Sequence, residues 1–383
     1  MTRILITGGK GFLGRNLAAH LQDRRGCEIT IVDREDSAES LNRLLTGADV
    51  IFHLAGENRP QNPKEFETGN AELTERLCQV LREHGRRPKI VFSSSIQAAL
   101  DNPYGVSKAR AEDALRRFAS ESGASVRIYR LKNLFGKWCR PNYNSVTATL
   151  CNNIAKDLPI SISDPEREVE LSYVDDVAAA FVAEIDGVQS QGEPGAEIPS
   201  YRIQLGDLAG RIQAFHEMAT TLTLPDMSGW FDRALYATYL SYVPPGALEH
   251  NLEIRADDRG SLAEFIKQKS FGQIFVSRTM PGVTRGNHYH HTKTEKFFVV
   301  EGHGLIRMRA VEGGPIEEYF VTGSTYQVID IPPGVTHSIT NVGATEMVTL
   351  FWSSEMFDPN RPDTYYLPVS YEAHTRTVSL ENQ

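Results

Sequence analysis

A glycine triplet directly after the first apolar segment constrains the fold of this chain more than any other feature. A strand-like run begins at Arg3 and ends at Thr7, and Gly8, Gly11 and Gly14 follow at a spacing of three. The first glycine permits a tight turn, the second lets a pyrophosphate approach the backbone, and the third lets a helix pack closely on the strand. The free N–H groups at the start of such a helix bind phosphate. The segment therefore predicts a dinucleotide-binding turn between a strand and a helix.

The first half of the chain alternates short apolar runs with amphipathic stretches. In the predicted first helix, Phe12–Arg24, Leu13, Leu17 and Leu21 recur every four residues and form one apolar stripe. Runs that are almost entirely apolar fit strands buried on both faces of a parallel sheet. The alternation predicts an α/β doubly wound, Rossmann-like domain over residues 1–243. The predicted strands are Arg3–Thr7, Glu28–Val32, Asp49–Leu54, Lys89–Ser95 and Ser125–Leu131.

The pattern changes after the segment Val243–Gly246. From about Leu252 onward, short strands follow one another without helical stretches, and Gly, Pro, Asn and Asp stand between them. This pattern is typical of an all-β sandwich or barrel. We therefore predict a second, all-β domain over residues 252–383, with the boundary between residues 243 and 252.

Composition excludes several classes of protein. The net charge of −9 argues against a nucleic-acid binder, which usually carries a basic excess. The four cysteines form no CxxC pair, as expected for reduced thiols in a cytosolic protein. No stretch of about 18 apolar residues predicts a membrane span, and no secretory signal is visible. We expect a cytoplasmic protein with a small-molecule ligand.

Tyr104 and Lys108 form the second chemical motif. They are four residues apart in a segment that begins a helix at Asn102-Pro103, so both lie on one helix face. A lysine ammonium beside a phenol favours phenolate and would lower the tyrosine pKa. Such a tyrosine exchanges a proton with a carbonyl or alcohol oxygen while hydride moves at the carbon. A hydroxyl of Ser93-Ser94-Ser95, which closes a predicted strand, could orient the same oxygen.

Together these motifs resemble the extended short-chain dehydrogenase/reductase family over about residues 1–240. The resemblance implies that Tyr104 is the catalytic acid, that Lys108 holds the nicotinamide ribose and that Ser95 orients the substrate oxygen, with Ser94 as the alternative. It also implies a nucleotide-sugar site near the later segments Arg130–Gly136 and Tyr173–Val177. The implied cofactor-binding residues are Gly8, Gly11, Phe12, Gly14, Asp33, Arg34, Leu54, Ala55, Tyr104 and Lys108, and the implied substrate-binding residues are Asn133, Arg140 and Asn142.

The form of the nicotinamide cofactor is ambiguous in the sequence. Asp33 ends the second strand about 20 residues after the glycine turn, where a carboxylate pairs with the ribose 2′-hydroxyl of NAD. Arg34 follows it, and an arginine there accommodates the 2′-phosphate of NADP. We expect NADPH, because of Arg34 and the reductive direction that the family implies. NADH remains the alternative, in which Arg34 is only a solvated surface residue.

Three histidines and a glutamate stand out in the second half. His288 and His290 point the same way in a strand because the side-chain period is two. Glu295 follows shortly, and His337 comes from a later segment that begins at Pro332-Pro-Gly334. Imidazoles with one carboxylate suit Zn²⁺, Mn²⁺, Fe²⁺, Co²⁺ or Ni²⁺. The set predicts one divalent metal, with zinc as the first choice.

The same segments resemble the cupin superfamily. Its first motif is complete from Gly282 to Gly302, whereas the second is partial because its leading glycine is displaced to Gly323. The resemblance implies a jelly-roll barrel in which the metal ligands are His288, His290, Glu295 and His337.

A finer resemblance, to the cupin-fold dTDP-4-keto-deoxysugar epimerases, rests on the segments Asp258–Phe265, Arg285–Tyr289 and Lys296–Val300. It implies a histidine base at His288 and a lysine at Lys296 that stabilises the enolate. His288 cannot easily be both ligand and base. If the metal replaces part of the enolate stabilisation, His291 or Lys296 could handle protons.

A reductase followed by a ketosugar epimerase resembles the bifunctional enzymes of bacterial capsule and O-antigen synthesis that make UDP-2-acetamido-2,6-dideoxy-L-talose, a precursor of UDP-N-acetyl-L-fucosamine. The segments His53–Pro60 and Asn133–Ser145 carry this resemblance. It implies a UDP-2-acetamido-2,6-dideoxy-4-ketohexose substrate, epimerised at C3 by the cupin domain and reduced at C4 by the N-terminal domain. We also expect a homodimer.

Two other classes of function stay open. In one, only the reductase works and the cupin is a metal-stabilised binding or dimerisation module. In the other, the first domain is a redox-sensing dinucleotide binder without enzymatic activity. The epimerase-like segment with Lys296 argues against the first class, and the Tyr104/Lys108 pair argues against the second.

Overall fold

The computed structural model describes residues 1–22, 24–186 and 198–370, and the chain divides into two units. The first unit comprises Met1–His216 and Met227–Leu248, and the second comprises Glu217–Asp226 and Glu249–Gln383. The main division thus falls between Leu248 and Glu249. Residues 217–226 belong to the second unit, although the sequence placed them in the first domain. Their backbone pairs with Lys267 through the bonds Leu224 N–H to Lys267 C=O and Lys267 N–H to Leu222 C=O.

Five strands of the first unit form one parallel sheet, and all five predicted strands are confirmed with bounds that differ by at most one residue. The sheet order is β2-β1-β3-β4-β5. The central strands β1, β3 and β4 are apolar on both faces because helices cover both faces. The strands are β1 (Thr2–Thr7), β2 (Cys27–Val32), β3 (Val50–His53), β4 (Lys89–Ser95) and β5 (Val126–Leu131).

Helices pack on both faces of this sheet. On one face Leu5 and Ile51 pack with Leu77 and Leu115, and on the other Phe52 packs with apolar residues of two further helices. The helices are α1 (Phe12–Leu21), α2 (Ala38–Gly47), α3 (Lys64–Phe66), α4 (Leu73–Glu83), α5 (Pro103–Ser122), α6 (Val146–Ala155), α7 (Val174–Ile185), α8 (Leu205–Thr221) and α9 (Trp230–Leu240).

Two helix ends bear on the sequence analysis. The first helix was predicted to run to Arg24, but α1 ends at Leu21, where the apolar stripe that packs it on the sheet also ends. Helix α5 begins as predicted, because the Asn102 side chain accepts a hydrogen bond from Gly105 N–H and Pro103 occupies the first turn.

A second, smaller sheet completes the first unit. It has the order β6-β7-β8, with β6 parallel to β7 and β8 antiparallel to it. Its apolar residues form a separate core with α6, α8 and α9, centred on Phe135 and Phe231. The strands are β6 (Asn133–Phe135), β7 (Glu168–Tyr173) and β8 (Tyr201–Gln204).

The second unit consists of two antiparallel sheets, as the strand pattern predicts for an all-β domain. Their orders are β16-β13-β18-β11-β10-β9 and β15-β14-β17-β12-β19, and residues of both sheets share one apolar core around Phe297 and Ile339. The strands are β9 (Ile254–Asp257), β10 (Gly260–Gln268), β11 (Gly272–Thr279), β12 (Thr284–Tyr289), β13 (Glu295–Glu301), β14 (His303–Ala310), β15 (Glu317–Thr322), β16 (Val328–Ile331), β17 (Val335–Asn341), β18 (Met347–Ser353) and β19 (Tyr365–Tyr366).

Among the described residues, no helix combines the length and the apolar character needed to cross a bilayer.

Candidate active site and metal centre

The glycine turn lies where the sheet order reverses, between β1 and its neighbour β3, and open α/β sheets bind ligands at such a point. Gly8 has a φ of 70°, and a Cβ there would lie 2.7 Å from Ala55 N. A Cβ on Gly14 would lie 2.3 Å from Gly8 O. Both positions therefore exclude a side chain. The turn leads directly into α1, whose N-cap Gly11 offers no side chain to the first N–H groups of the helix, so these remain available to a phosphate.

A cavity of about 970 Å³ opens at this edge of the sheet. Asp33 and Ala55 do not line it, although both were predicted to bind the cofactor; Ala55 N–H instead bonds Thr7 Oγ1. The predicted residues that do line the cavity are Gly8, Gly11, Phe12, Gly14, Arg34, Leu54, Ser95, Tyr104, Lys108, Asn133, Arg140 and Asn142.

Asp33 and Arg34 have different environments. The Asp33 carboxylate accepts backbone N–H bonds from Lys10 (2.9 Å) and Arg34 (2.9 Å), so it is tied to the glycine turn. The Arg34 guanidinium lines the cavity and forms an ion pair with Glu57, whose side chain is buried. Burial alone would raise the pKa of Glu57, but the Arg59 N–H and the Arg34 charge lower it overall. The Arg34 side chain is thus exposed to solvent, while its guanidinium is held in place by the Glu57 carboxylate.

Asn70 holds the loop that carries Glu57. It lies in a π-helical turn, Glu67–Glu72, between α3 and α4, and it is almost fully buried. Its side chain accepts from Glu57 N–H (3.0 Å) and donates to Glu57 C=O (2.9 Å). A π-helical turn often marks a functional position, and here it fixes the backbone after β3 beside the cavity.

Helix α5 presents Tyr104 and Lys108 to the cavity on one face. The Lys108 ammonium is buried, donates to Ser93 C=O (2.8 Å) and lies 4.7 Å from the centre of the Phe92 ring. Burial lowers the pKa of Lys108 to about 8, against an opposing effect of Glu112. The Ser95 hydroxyl hydrogen-bonds the Tyr104 phenol and accepts from Gln97 N–H (3.2 Å).

The pKa of Tyr104 differs from the expectation. The sequence predicted that Lys108 lowers it, but burial raises it, and the Ser95 hydrogen bond offsets only part of that rise. The prediction is wrong because burial has the largest effect on the phenol, and the Lys108 ammonium is instead bonded to the Ser93 carbonyl. A raised pKa keeps the phenol protonated at neutral pH, which suits a proton donor.

Ser94 has a different role from Ser95. Its hydroxyl donates to Glu112 Oε1 (2.5 Å), and the Glu112 side chain is fully buried. Arg130 binds both oxygens of that carboxylate, at 2.9 and 2.8 Å, and Arg116 adds a third cationic contact. The Ser94 hydroxyl is therefore a structural partner of Glu112, and Ser95 is the serine beside Tyr104.

Of the predicted substrate-binding residues, Asn133 begins β6, and Arg140 and Asn142 lie on the loop that follows β6. Asn133 donates to Glu170 C=O (3.2 Å), and Asn142 has a φ of 55°. The Arg140 guanidinium lies 5.0 Å from the centre of the Tyr143 ring, and the Arg59 guanidinium lies 5.6 Å from the same ring. Tyr143 thus joins the loop after β3 to the loop after β6 at the cavity.

In the second unit, His288, His290, Glu295 and His337 come together. One ligand atom from each lies within 4.8 Å of the others. Glu295 Oε2 is 3.3 Å from His290 Nε2 and 3.4 Å from His337 Nε2. His290, Glu295 and His337 are buried, whereas His288 is half-buried. The sheet produces this cluster because His288 on β12 lies directly opposite His337 on β17.

The protonation pattern of these side chains fits a cation. His290 Nδ1 is 2.6 Å from a backbone carbonyl and His337 Nδ1 is 3.3 Å from another, so both Nδ1 atoms carry the hydrogen. Their Nε2 atoms are buried without a hydrogen-bond partner. Burial lowers the pKa of His288 to about 4, with a further contribution from His337, so its ring is neutral. Lone pairs and one carboxylate that converge in a buried place are the donor set of a divalent metal.

Lys296 is not part of this cluster. It follows Glu295 on β13, and successive residues of a strand point to opposite faces. Its ammonium forms an ion pair with Asp330, and its side chain is 49% exposed. Lys296 thus lies on the opposite face of β13 from Glu295, and its role as the enolate-stabilising lysine stays a prediction. His291 is also outside the cluster, because its exposed ring packs against Tyr289 on the other face.

Four residues at or beside the two candidate sites were not singled out by the sequence analysis: Lys10, Glu57, Glu112 and Asp363. Lys10 lies between the second and third glycines of the TGGKG run and lines the cavity, so its position alone could have indicated it. Glu112 follows Lys108 by four residues, on the same helix face. The roles of Glu57 and Asp363 depend on partners distant along the chain, for which the sequence contains no local pattern.

Comparison with known proteins matches two parts of the chain to two different family models. Residues 4–196 match the NAD dependent epimerase/dehydratase family, and residues 255–365 match the polysaccharide biosynthesis C-terminal domain. The UDP-2-acetamido-2,6-beta-L-arabino-hexul-4-ose reductase of Pseudomonas aeruginosa is 43% identical, over 96% of this chain and 99% of that protein. The crystal structure of the capsular polysaccharide assembling protein CapF from Staphylococcus aureus is 46% identical, with a TM-score of 0.90 over 96% of this chain and 100% of that one.

A more distant structure shares only the fold of the first unit. The UDP-glucuronic acid 4-epimerase of Bacillus cereus, solved with NAD, is 16% identical and has a TM-score of 0.52 over 63% of this chain and 98% of that one. The two long matches cover both units, and the first family model covers half of the chain. This chain therefore belongs to the NAD dependent epimerase/dehydratase family, in a form that also carries a polysaccharide biosynthesis C-terminal domain.

Proposed function

We propose that this protein converts a UDP-2-acetamido-2,6-dideoxy-4-ketohexose into UDP-2-acetamido-2,6-dideoxy-L-talose by C3 epimerisation followed by C4 reduction. The observation that carries the proposal is the placement of Tyr104, Lys108 and Ser95 around one cavity at the glycine turn. The name of the Pseudomonas aeruginosa relative, a 4-ulose reductase acting on a UDP-2-acetamido sugar, supports the substrate class.

In the reduction, the chain's own residues supply the proton and the orientation. Tyr104 donates its phenolic proton to the C4 oxygen, since its raised pKa keeps it protonated. Ser95 hydrogen-bonds the same oxygen and aligns it with the phenol. Lys108 is positioned by the Ser93 carbonyl to bind the nicotinamide ribose. NADPH, when bound, supplies the hydride.

We propose NADPH rather than NADH. The Asp33 carboxylate is already bonded to two backbone N–H groups and does not line the cavity, so it is poorly available to a ribose hydroxyl. Arg34 and Lys10 line the cavity nearby and offer two cations for a 2′-phosphate. Arg34→Ala should therefore raise the KM for NADPH at least tenfold and leave the KM for NADH within about twofold; equal KM values for NADPH before and after the change would reject this role.

The second unit is proposed to be a cupin-type epimerase domain that binds one divalent metal ion, with zinc as the first choice. His290, Glu295 and His337 would hold the ion, and three protein ligands leave the open position typical of a catalytic site. The ion, when bound, would supply a Lewis acid for a carbonyl oxygen. We assign His288 as the base at C3, because it is the half-buried member of the cluster and its low pKa of about 4 leaves a neutral ring.

The order of the two steps follows from carbonyl chemistry. A ketone at C4 acidifies the C3–H bond, and reduction of that ketone removes the acidity. Epimerisation must therefore come first. Two sites on one chain also raise the effective concentration of the ketosugar for the second step. The homodimer and the cytoplasmic location remain predictions from the sequence.

One experiment separates the two activities. The UDP-4-ketosugar is incubated with protein in deuterated water, with and without NADPH, and C3 deuterium and NADPH oxidation are measured. Tyr104→Phe should lower the reduction rate by about 10²–10⁴, the usual contribution of a general acid, without changing C3 exchange. His288→Gln should abolish C3 exchange and, because epimerisation comes first, should also slow NADPH oxidation with the same ketosugar. Near-normal reduction by Tyr104→Phe would refute the assignment of the acid.

A second candidate function is a reductase whose second unit only binds and stabilises. The outward position of Lys296 favours it, because the epimerase resemblance loses its enolate-stabilising lysine. In the same experiment this candidate predicts NADPH oxidation without deuterium at C3. Deuterium incorporation that disappears in His288→Gln would exclude it.

A further inference from the structure

Asp363 lies far along the chain from the metal ligands, yet it contacts the segment that directly follows one of them. Its carboxylate accepts three consecutive backbone N–H bonds, from His291 (2.9 Å), Thr292 (3.0 Å) and Lys293 (2.8 Å). The Thr292 hydroxyl lies 3.0 Å from the same carboxylate and shares its one hydrogen between Asp363 and Glu355, which is also 3.0 Å away. Asp363 is only 9% exposed and has a φ of 42°. A buried carboxylate with this many donors fixes the backbone between β12 and β13.

The backbone of Asp363 acts on the ligand itself. Its carbonyl oxygen is 2.6 Å from His290 Nδ1. A carbonyl can only accept, so His290 carries a hydrogen on Nδ1, which leaves Nε2 as the ring nitrogen that can bind a metal. That Nε2 is the buried, unpartnered atom that lies 3.3 Å from Glu295 Oε2. One residue thus fixes the loop after His290 and also the tautomer of its ring.

The segment that contains Asp363 is fastened to the strands that carry the ligands. The Lys293 ammonium donates to Pro362 C=O (3.0 Å) and to Thr364 Oγ1 (3.1 Å). Further on, Leu367 N–H donates to Asn287 C=O (2.9 Å), next to His288. These bonds hold the segment around Asp363 against β12 and against the loop that follows β12.

We propose that Asp363 is a positioning residue that holds His290 ready for metal binding. The inference rests on the proposed metal centre. Partners that orient a metal-bound histidine typically contribute about 10–100-fold to metal affinity. The carboxylate is the part that substitution can remove, and without it the Asp363 carbonyl loses its fixed place against the His290 ring.

The test uses the full chain, stripped of metal, and measures the zinc dissociation constant by competition with a chromophoric chelator. Asp363→Asn should weaken zinc binding about 10–100-fold. Asp358→Asn is the matched control, because Asp358 makes only a local turn contact with Asn360 N–H in the same part of the chain. That control should bind zinc within about twofold of the unchanged protein, the spread expected for a surface change.

Thermal unfolding of the metal-free and zinc-loaded forms separates positioning from general stability. If Asp363 positions His290, the increase in Tm on adding zinc should shrink in Asp363→Asn. If the variant only lowers the Tm of the metal-free protein and binds zinc normally, the inference is overturned. If Asp363→Asn does not fold, Thr292→Val is the second variant, because it removes one contact to the Asp363 carboxylate and should still weaken zinc binding measurably. An unchanged zinc affinity in Thr292→Val would also overturn the inference. Absence of zinc binding by the unchanged protein would instead overturn the metal centre.

Discussion

Ser94 and Ser95 are adjacent and chemically identical, but their hydroxyls have different partners, so the same substitution at each should affect different properties. Ser94 is buried and bonded to the Glu112 carboxylate at 2.5 Å, whereas Ser95 is half-buried and bonded to the Tyr104 phenol. A hydrogen bond to a charged group contributes about 1.5–3 kcal/mol. Ser94→Ala should therefore lower the free energy of unfolding by about 2 kcal/mol, and the Tm by about 4–8 °C for a unit of this size.

Ser95→Ala should lower the reduction rate instead. Loss of one orienting hydrogen bond of about 1.5–3 kcal/mol in the transition state corresponds to roughly a 10–100-fold drop in kcat/KM. Its effect on stability should stay near 1 kcal/mol, because the remaining contact is the cap to Gln97 N–H.

The assays are NADPH oxidation with the UDP-4-ketosugar at saturating cofactor, and thermal unfolding of each variant. Each serine serves as the control for its neighbour. A drop in reduction by Ser94→Ala equal to that of Ser95→Ala, at a temperature where both are folded, would refute the assignment of roles. A large loss of stability in Ser95→Ala without loss of rate would refute it as well.

Three further predictions concern the charges of both sites. Lys296→Ala should leave the rate of C3 exchange and the metal content within about twofold of the unchanged protein, because the ion pair between Lys296 and Asp330 is an exposed surface contact. A tenfold loss of C3 exchange would show that Lys296 acts in epimerisation. Chelation or His337→Ala should lower the Tm of the second unit while cofactor binding by the first unit persists, and metal occupancy should fall at acid pH because binding needs neutral imidazoles. In the free enzyme, kcat/KM for reduction should fall as the pH rises through about 8, where Lys108 loses its charge; a constant kcat/KM up to pH 9.5 or so would contradict this.

The fold could be read largely from periodicity. The five strands of the parallel sheet are nearly continuous apolar runs, and β1, β3 and β4 are buried on both faces as such runs require. The membership of residues 217–226 in the second unit could not be predicted, because it depends on backbone pairing with Lys267 and not on a pattern of side chains. The end of α1 was missed because charged residues continue a helical pattern without giving it a surface to pack on.

The two sites were predictable to different depths. The spacing of Tyr104 and Lys108 and the spacing of His288 and His290 are local features. Helix and strand periodicity alone places each pair on one face, whatever the rest of the chain does. The raised pKa of Tyr104 depends on burial, which one sequence does not reveal. The position of Lys296 was predictable after all: it is adjacent to Glu295 in a strand, and a period of two forbids both from facing the same interior.

The membership of residues 217–226 in the second unit makes the chain cross between its two units three times, after His216, Asp226 and Leu248. A single proteolytic cut near residue 248 would therefore not release an intact second unit. The fragment from Glu249 onward would lack residues 222–224 and leave the Lys267 N–H and C=O without their partners. In the N-terminal fragment, Leu222 and Leu224 would lack the Lys267 backbone with which they pair. Each unit thus has its own packed core, but neither is encoded by one continuous stretch of sequence. A chimera that exchanges the second unit between relatives would also have to exchange the internal segment 217–226.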